Sequence, residues 1–133
     1  MAAERKIGGN VYRVEKLPAE EGLELYLDLN EVFGGSDVML GAILEPLDRQ
    51  KHLAAFVQIA ADLSLNKERV GAFLKRAVEL CRVGSDPCVL GVKPAEMPEA
   101  IEVMFFSLQA QFRDFLSESL PKAVPKDQPG ASN

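Results

Sequence analysis

Few side chains in this 133-residue sequence could act as nucleophile, base or metal ligand. His52 is the only histidine and follows Lys51 at a predicted helix start. A metal site needs several convergent donors, so a lone histidine is read as a surface or capping residue. Cys81 and Cys88 are the only cysteines, and neither stands in a CxxC or Cys/His pattern. Their spacing allows a disulfide, but the opening MAAERKIGGN lacks the apolar core of a secretory signal. Two reduced thiols in a cytoplasmic protein are therefore expected. Nothing in the pattern supports a Cys–His nucleophile pair built from His52 and either cysteine. Gly8-Gly9 and Gly34-Gly35 lie outside any GxxxxGK[ST] or GxGxxG setting, so they read as turn glycines. Glu20, Glu21, Glu24, Asp28 and Glu31 recur mainly at i, i+3 and i, i+4. That is the solvated face of an amphipathic helix rather than an acid–base pair. No enzyme, cofactor or metal site is expected.

The elements that would position any site follow from composition and periodicity. Apolar residues make up 47% of the chain and charged residues 26%, the balance of a globular protein. A formal charge of −5 and a pI near 4.9 disfavour a nucleic-acid surface, which concentrates Lys and Arg. No apolar run approaches the roughly 20 residues of a membrane-spanning helix. The fold class expected is mainly α, with a small N-terminal β-hairpin packed on about four to five short helices. Residues 1–5 are expected as a flexible N-terminus, residues 6–119 as one domain, and residues 120–133 as a disordered Pro-rich tail.

Lys6-Ile7 and Val11–Val14 flank Gly8-Gly9-Asn10, residues suited to a hairpin turn. Tyr12 and Val14 share one face of the second strand. Pro18 starts a helix that runs to about Phe33 and stops at Gly34-Gly35. Ser36 or Asp37 caps a short helix through Leu44, and a third runs from Asp48 to about Leu63 with Leu53, Phe56, Val57 and Ala60 on one face. Asn66 caps a fourth, in which Val70, Phe73, Leu74, Ala77, Val78 and Cys81 keep helical spacing. The short link at Leu65-Asn66 predicts that the third and fourth helices are antiparallel neighbours. Val83–Pro98 is broken by Gly and Pro, with Cys88–Val92 as a candidate strand added to the hairpin.

The last helix opens near Pro98-Glu99, runs to about Ser119, and contains MFFSLQAQFRDFL. At roughly 100° per residue, Ile101, Met104, Phe105, Leu108, Phe112, Phe115 and Leu116 share an arc of about 120° and read as a core stripe. Phe106 points elsewhere, toward the side carrying Gln109 and Arg113, and is the ring that core packing leaves over. Phe106, with Phe105, Phe112 and Phe115, is the candidate partner-binding set.

The run KIGGNVYRVEKLPAEEGLEL, several short helices and the closing FFSLQAQFRDFL together resemble the tail assembly chaperones of long-tailed bacteriophages. Members of that family open with a Y-x-V-x-x-LP segment, matched here by Tyr12, Val14, Leu17 and Pro18, and Phe112 and Phe115 resemble the aromatic end of their last helix. The resemblance covers about Lys6 to Leu116. It implies a non-enzymatic role: binding the long hydrophobic tape measure protein in the host cell cytoplasm, keeping it soluble until the tail tube assembles, and absence from the mature virion. The tail tube protein and a second copy of the chain are further partners compatible with it; nucleic acid and membrane are not expected. The alternative is a phage structural adaptor or another helical protein-binding module.

Overall fold

The computed structural model describes residues 2–62 and 64–119. Their order is β1 (Ala2–Ile7), β2 (Asn10–Glu15), α1 (Ala19–Phe33), α2 (Asp37–Leu44), α3 (Arg49–Ala60), α4 (Lys67–Val78), β3 (Cys81–Val83), β4 (Asp86–Pro87) and α5 (Met97–Ser119). The tail expected at 120–133 and the expected helix end at Leu63 lie outside the described residues.

β1 and β2 form the hairpin, in register from Ala2↔Glu15 to Ile7↔Asn10, so residues 2–5 are paired strand and not a flexible N-terminus. Pairing satisfies backbone groups that would otherwise be left to water. Gly8 and Gly9 turn the chain with φ of 58° and 87°, values that an L side chain rarely adopts. Gly8 also lies directly against Glu99 at the start of α5, where a Cβ would collide with the carboxylate.

The third strand differs from expectation. β3 pairs with β2 through Tyr12↔Val83 and Val14↔Cys81, and β4 extends the antiparallel sheet to the order β1-β2-β3-β4. The strand that joins the hairpin is thus Cys81–Val83 rather than Cys88–Val92, and Cys81 belongs to it instead of ending the helical stripe of α4. Three residues are too short for strand alternation to be told from the last turn of a helix by spacing alone.

The Y-x-V-x-x-LP residues fix the passage from hairpin to helix. Tyr12 and Val14 are buried on the core side of β2. The buried Gln111 of α5 clamps the link: its Oε1 accepts from Leu17 N–H at 2.9 Å, and its Nε2 donates to the Glu15 carbonyl at 2.8 Å. Pro18 follows as the residue before the first turn of α1, with its carbonyl accepting from Gly22 N–H. At the far end Gly34, at φ 64°, donates to the Asn30 carbonyl and stops α1. Ser36, Asp48 and Asn66 accept from the N–H groups of Met39, Lys51 and Arg69, which starts α2, α3 and α4 in turn.

All the layers meet on α5. Every residue from Ala100 to Leu108 is buried, because β1 and β2, α2, α3 and α4 each pack on it. A helix covered on all sides is apolar all round, so one-face periodicity does not describe it. Phe106, expected to be the ring left outside the core, is only 6% exposed, whereas Phe115, expected in the core stripe, is 51% exposed. Phe115 lies beyond the enclosed part of α5 and rests edge-on against Tyr26, with ring centroids 5.4 Å apart. Glu102 is also enclosed, beside Arg49 at 3.7 Å, and burial pushes its carboxyl above the ordinary range.

His52 is likewise interior rather than superficial, at 1% exposure. Its Nε2 lies 2.6 Å from the Ala42 carbonyl, Asp48 N–H reaches Nδ1 at 3.2 Å, and the ring packs edge-on against Phe105. Nδ1 also lies 2.9 Å from the Asp48 carbonyl, so both ring nitrogens are held against backbone carbonyls. Gln109 also donates to the Ala42 and Glu45 carbonyls, and Arg113 Nε donates to the Leu44 carbonyl at 3.1 Å. The last carbonyls of α2 are therefore capped from other helices, with a cation at the negative end of the dipole.

Two stability predictions follow from these positions. Phe106→Ala should cost about 3–5 kcal/mol in denaturant unfolding, whereas Phe115→Ala should cost about 1 kcal/mol, the scale of one edge-on aromatic pair. The reverse order would contradict the enclosure of α5. The Tyr12 hydroxyl is buried with no hydrogen-bond partner among the described residues. Tyr12→Phe should leave stability within about 0.5 kcal/mol of the parent or raise it; a loss well beyond that would reveal a hydrogen bond to this hydroxyl.

Candidate functional site

α3 and α4, expected as antiparallel neighbours, do not pack along each other. α3 lies on α2 and α5, whereas α4 lies on α1 and α5. The apolar stripe of α3 therefore does not close the core. The buried positions of that helix are His52 and Ile59, while Leu53 and Phe56 are half-buried and Val57 is 69% exposed. α3 thus carries two apolar faces, one covered and one lining a groove.

The groove consists of two adjoining apolar hollows that share Phe56, Met97 and Ile101. The first, about 490 Å³, runs between the α3 stripe and the start of α5. The second, about 370 Å³, continues to Leu74 of α4 and to the loop containing Leu90 and Pro94. Met97, 73% exposed, stands at the junction. On the α4 wall Gly71 leaves open space, since a Cβ there would meet nothing within 4 Å. The loop wall is held by its own bonds: Val89 N–H donates to the Lys93 carbonyl at 3.3 Å and Gly91 N–H to the Pro94 carbonyl at 3.0 Å. Glu79 accepts from Leu90 N–H at 3.3 Å, which ties this loop to the end of α4.

Both walls of the groove present mainly apolar side chains. Among the described residues no three His, Cys, Asp or Glu side chains gather as a metal site. The His52 ring nitrogens face the backbone at Ala42 and Asp48. Cys81 and Cys88 are free and buried, and burial pushes the Cys81 thiol up to about 12, far from a nucleophilic thiolate at neutral pH. What the groove offers is apolar area, and each Leu- or Phe-sized side chain moved into it from water contributes about 1.5–3 kcal/mol. Met97 is unbranched and adaptable, so it can fit irregular apolar partners.

Of the candidate partner-binding rings, Phe105, Phe106 and Phe112 are buried in the core. Phe115 alone is exposed, and it faces Tyr26 of α1 rather than the groove. Phe56, Val57 and Leu74 are expected on apolar helix faces but not in the partner-binding set, and Met97 carries no sequence signal of its own. The signal was present in α3, where Leu53, Phe56, Val57 and Ala60 stand beside a second set at 52, 55 and 59. Two apolar faces exceed what packing on one side requires.

Cys81 gives a direct check on the enclosure of its thiol. In the folded protein at mildly alkaline pH it should resist iodoacetamide, and it should react readily after guanidinium unfolding, as read by mass spectrometry. Rapid labelling of Cys81 in the folded protein would contradict its enclosure.

Comparison with known proteins agrees with the architecture. The family model described as "Phage tail assembly chaperone protein, TAC" matches residues 8–123. No curated protein and no solved structure matches the chain significantly. The matched span runs from the β1–β2 turn through the whole of α5, and so takes in both walls and the floor of the groove. The chain belongs to the phage tail assembly chaperone family.

Proposed function

We propose that this protein is a non-enzymatic chaperone of the tape measure protein in the host cell cytoplasm. It binds apolar helical segments of that client, keeps them soluble until the tail tube assembles around them, and is displaced before the particle is finished. The observation that carries the reading is the apolar groove between α3 and α4, uncovered among the described residues in a chain of this family. An amphipathic helix laid in such a groove buries one apolar face and leaves its polar face to water. The formal charge of −5 helps the resulting complex stay in solution. The tail tube protein would meet the complex when it displaces the chaperone, and a second copy of the chain could occupy the groove before the client arrives.

Co-expression with the tape measure protein tests the reading. Val57 and Met97 are 69% and 73% exposed, so Val57→Asp with Met97→Asp should leave the fold intact by circular dichroism. Wild-type protein should hold the client in the soluble fraction and co-purify with it. The double variant should retain about tenfold less client, which corresponds to about 1.4 kcal/mol. A client that stays insoluble with wild-type protein, or full retention by the variant, would sink the proposal. Mass spectrometry of purified virions should find the protein absent; its presence at structural copy number would identify an adaptor instead.

A further inference from the structure

We propose that the outer face of α1, continued onto Phe115 of α5, is a second docking surface, for an amphipathic helix whose apolar ridge is bordered by lysine or arginine. The proposal does not rest on the groove or on the identity of its client. α1 buries Leu25, Leu29 and Phe33 against the core, yet it also presents Leu23 and Leu27, 60% and 59% exposed, one turn apart on the opposite side. Tyr26 lies between that side and the core. Its ring packs edge-on against Phe115 at 5.4 Å and against the buried Phe112 at 5.3 Å. The half-buried Tyr26, one turn from Leu23, thus joins the exposed Leu23 and Leu27 to the exposed Phe115 in one apolar ridge, anchored to the core by Phe112. Single exposed leucines are ordinary on a protein surface, whereas a contiguous patch beside aromatic rings marks a contact site.

The borders of the ridge select the partner. α1 carries Glu20, Glu21, Glu24, Asp28 and Glu31 and has no Lys or Arg. Arg76 of α4 pairs with Glu24 at 3.8 Å and Asp28 at 2.5 Å, and Arg69 pairs with Glu31 at 2.7 Å. Among the described residues no cation lies within ion-pair distance of Glu20 or Glu21. On the other border Glu118 stands one turn beyond Phe115, and Asp114 pairs with Lys16 at 3.8 Å. Carboxylates therefore flank the ridge on both sides. A second copy docking through the same face would set these rows against each other, a like-charge contact that disfavours the dimer. A helix with cationic flanks places its charges against them instead, and its apolar ridge fills the steps between Leu23, Leu27 and Phe115.

The test uses two fluorescein-labelled helical peptides with the same leucine ridge, one flanked by lysines and the other by glutamates. By fluorescence anisotropy on the full chain, the lysine-flanked peptide should bind at least about tenfold more tightly. Its affinity should fall as salt rises from about 0.05 to 0.5 M, because rim charges are screened. Measured in the Val57→Asp, Met97→Asp background, which removes binding in the groove, Leu23→Ser with Leu27→Ser should weaken it about tenfold. Both leucines are exposed, so the variant should keep its circular dichroism spectrum. Equal binding of the two peptides, no binding of either, loss of all binding in the Val57→Asp, Met97→Asp background, or salt-stabilised dimers through α1 in sedimentation would overturn the proposal. Because co-expression reports on the groove and peptide binding on α1, either proposal can fail alone.

Discussion

The middle of α5 must be covered on every side, and the other elements are arranged to do it. From Ala100 to Leu108 every residue is more than nine-tenths buried, and apolar residues there are interrupted only by Glu102 and Ser107. A helix of this kind has no polar face to turn toward water, so it holds its place only when sheet and helices close around it. The two-strand hairpin, marginal alone, gains a third strand and a helical backing in the same step. Gln111 ties that backing to the chain reversal at Glu15 and Leu17, which sets where α1 begins.

Covering α5 leaves polar groups inside and apolar groups outside, and the two are handled differently. Inside, the carbonyls at the end of α2 would be orphaned against the core, and His52, Gln109 and Arg113 supply donors to them. This explains why the single histidine is buried without belonging to any chemistry. Outside, the coverage stops short. α3 takes one flank of α5 and α4 another, and the gap between them exposes Phe56, Val57 and Met97 around Ile101. Leaving such area uncovered forgoes stabilisation at about 25 cal/mol per Å².

The charge of the molecule is unevenly placed in a way that matches this division. The groove walls are almost wholly apolar, whereas the exposed ridge on α1 lies between carboxylates. Arg69 and Arg76 spend their charge joining α4 to α1, which is a contribution to assembly of the fold rather than to its outer surface. Exposed ion pairs of this sort contribute little individually. The α1–α4 contact also has a buried part, where Phe33 packs edge-on against Phe73 with ring centroids 5.6 Å apart.

The local signals could be read directly from the chain. The turn at Gly8-Gly9, the caps at Asp48 and Asn66, the stop at Gly34 and the full extent of α5 depend on backbone chemistry within a few residues, and that chemistry is written in the residue types. The family resemblance carried by Tyr12, Val14, Leu17 and Pro18 was legible for the same reason, since those residues act at one local reversal. Among the features that were not legible, three concern helix packing: the exchange of roles between Phe106 and Phe115, the burial of His52, and the separation of α3 from α4. Each depends on how many neighbours a helix has and on which side they lie. Periodicity reports that a residue is apolar and which face it shares, but not whether a distant element covers that face. The sequence by itself determined the five helices and the hairpin turn; only the tertiary structure decided which segments extended the sheet, which apolar faces became core and which stayed open, because strand pairing and burial depend on contacts between residues far apart in the chain.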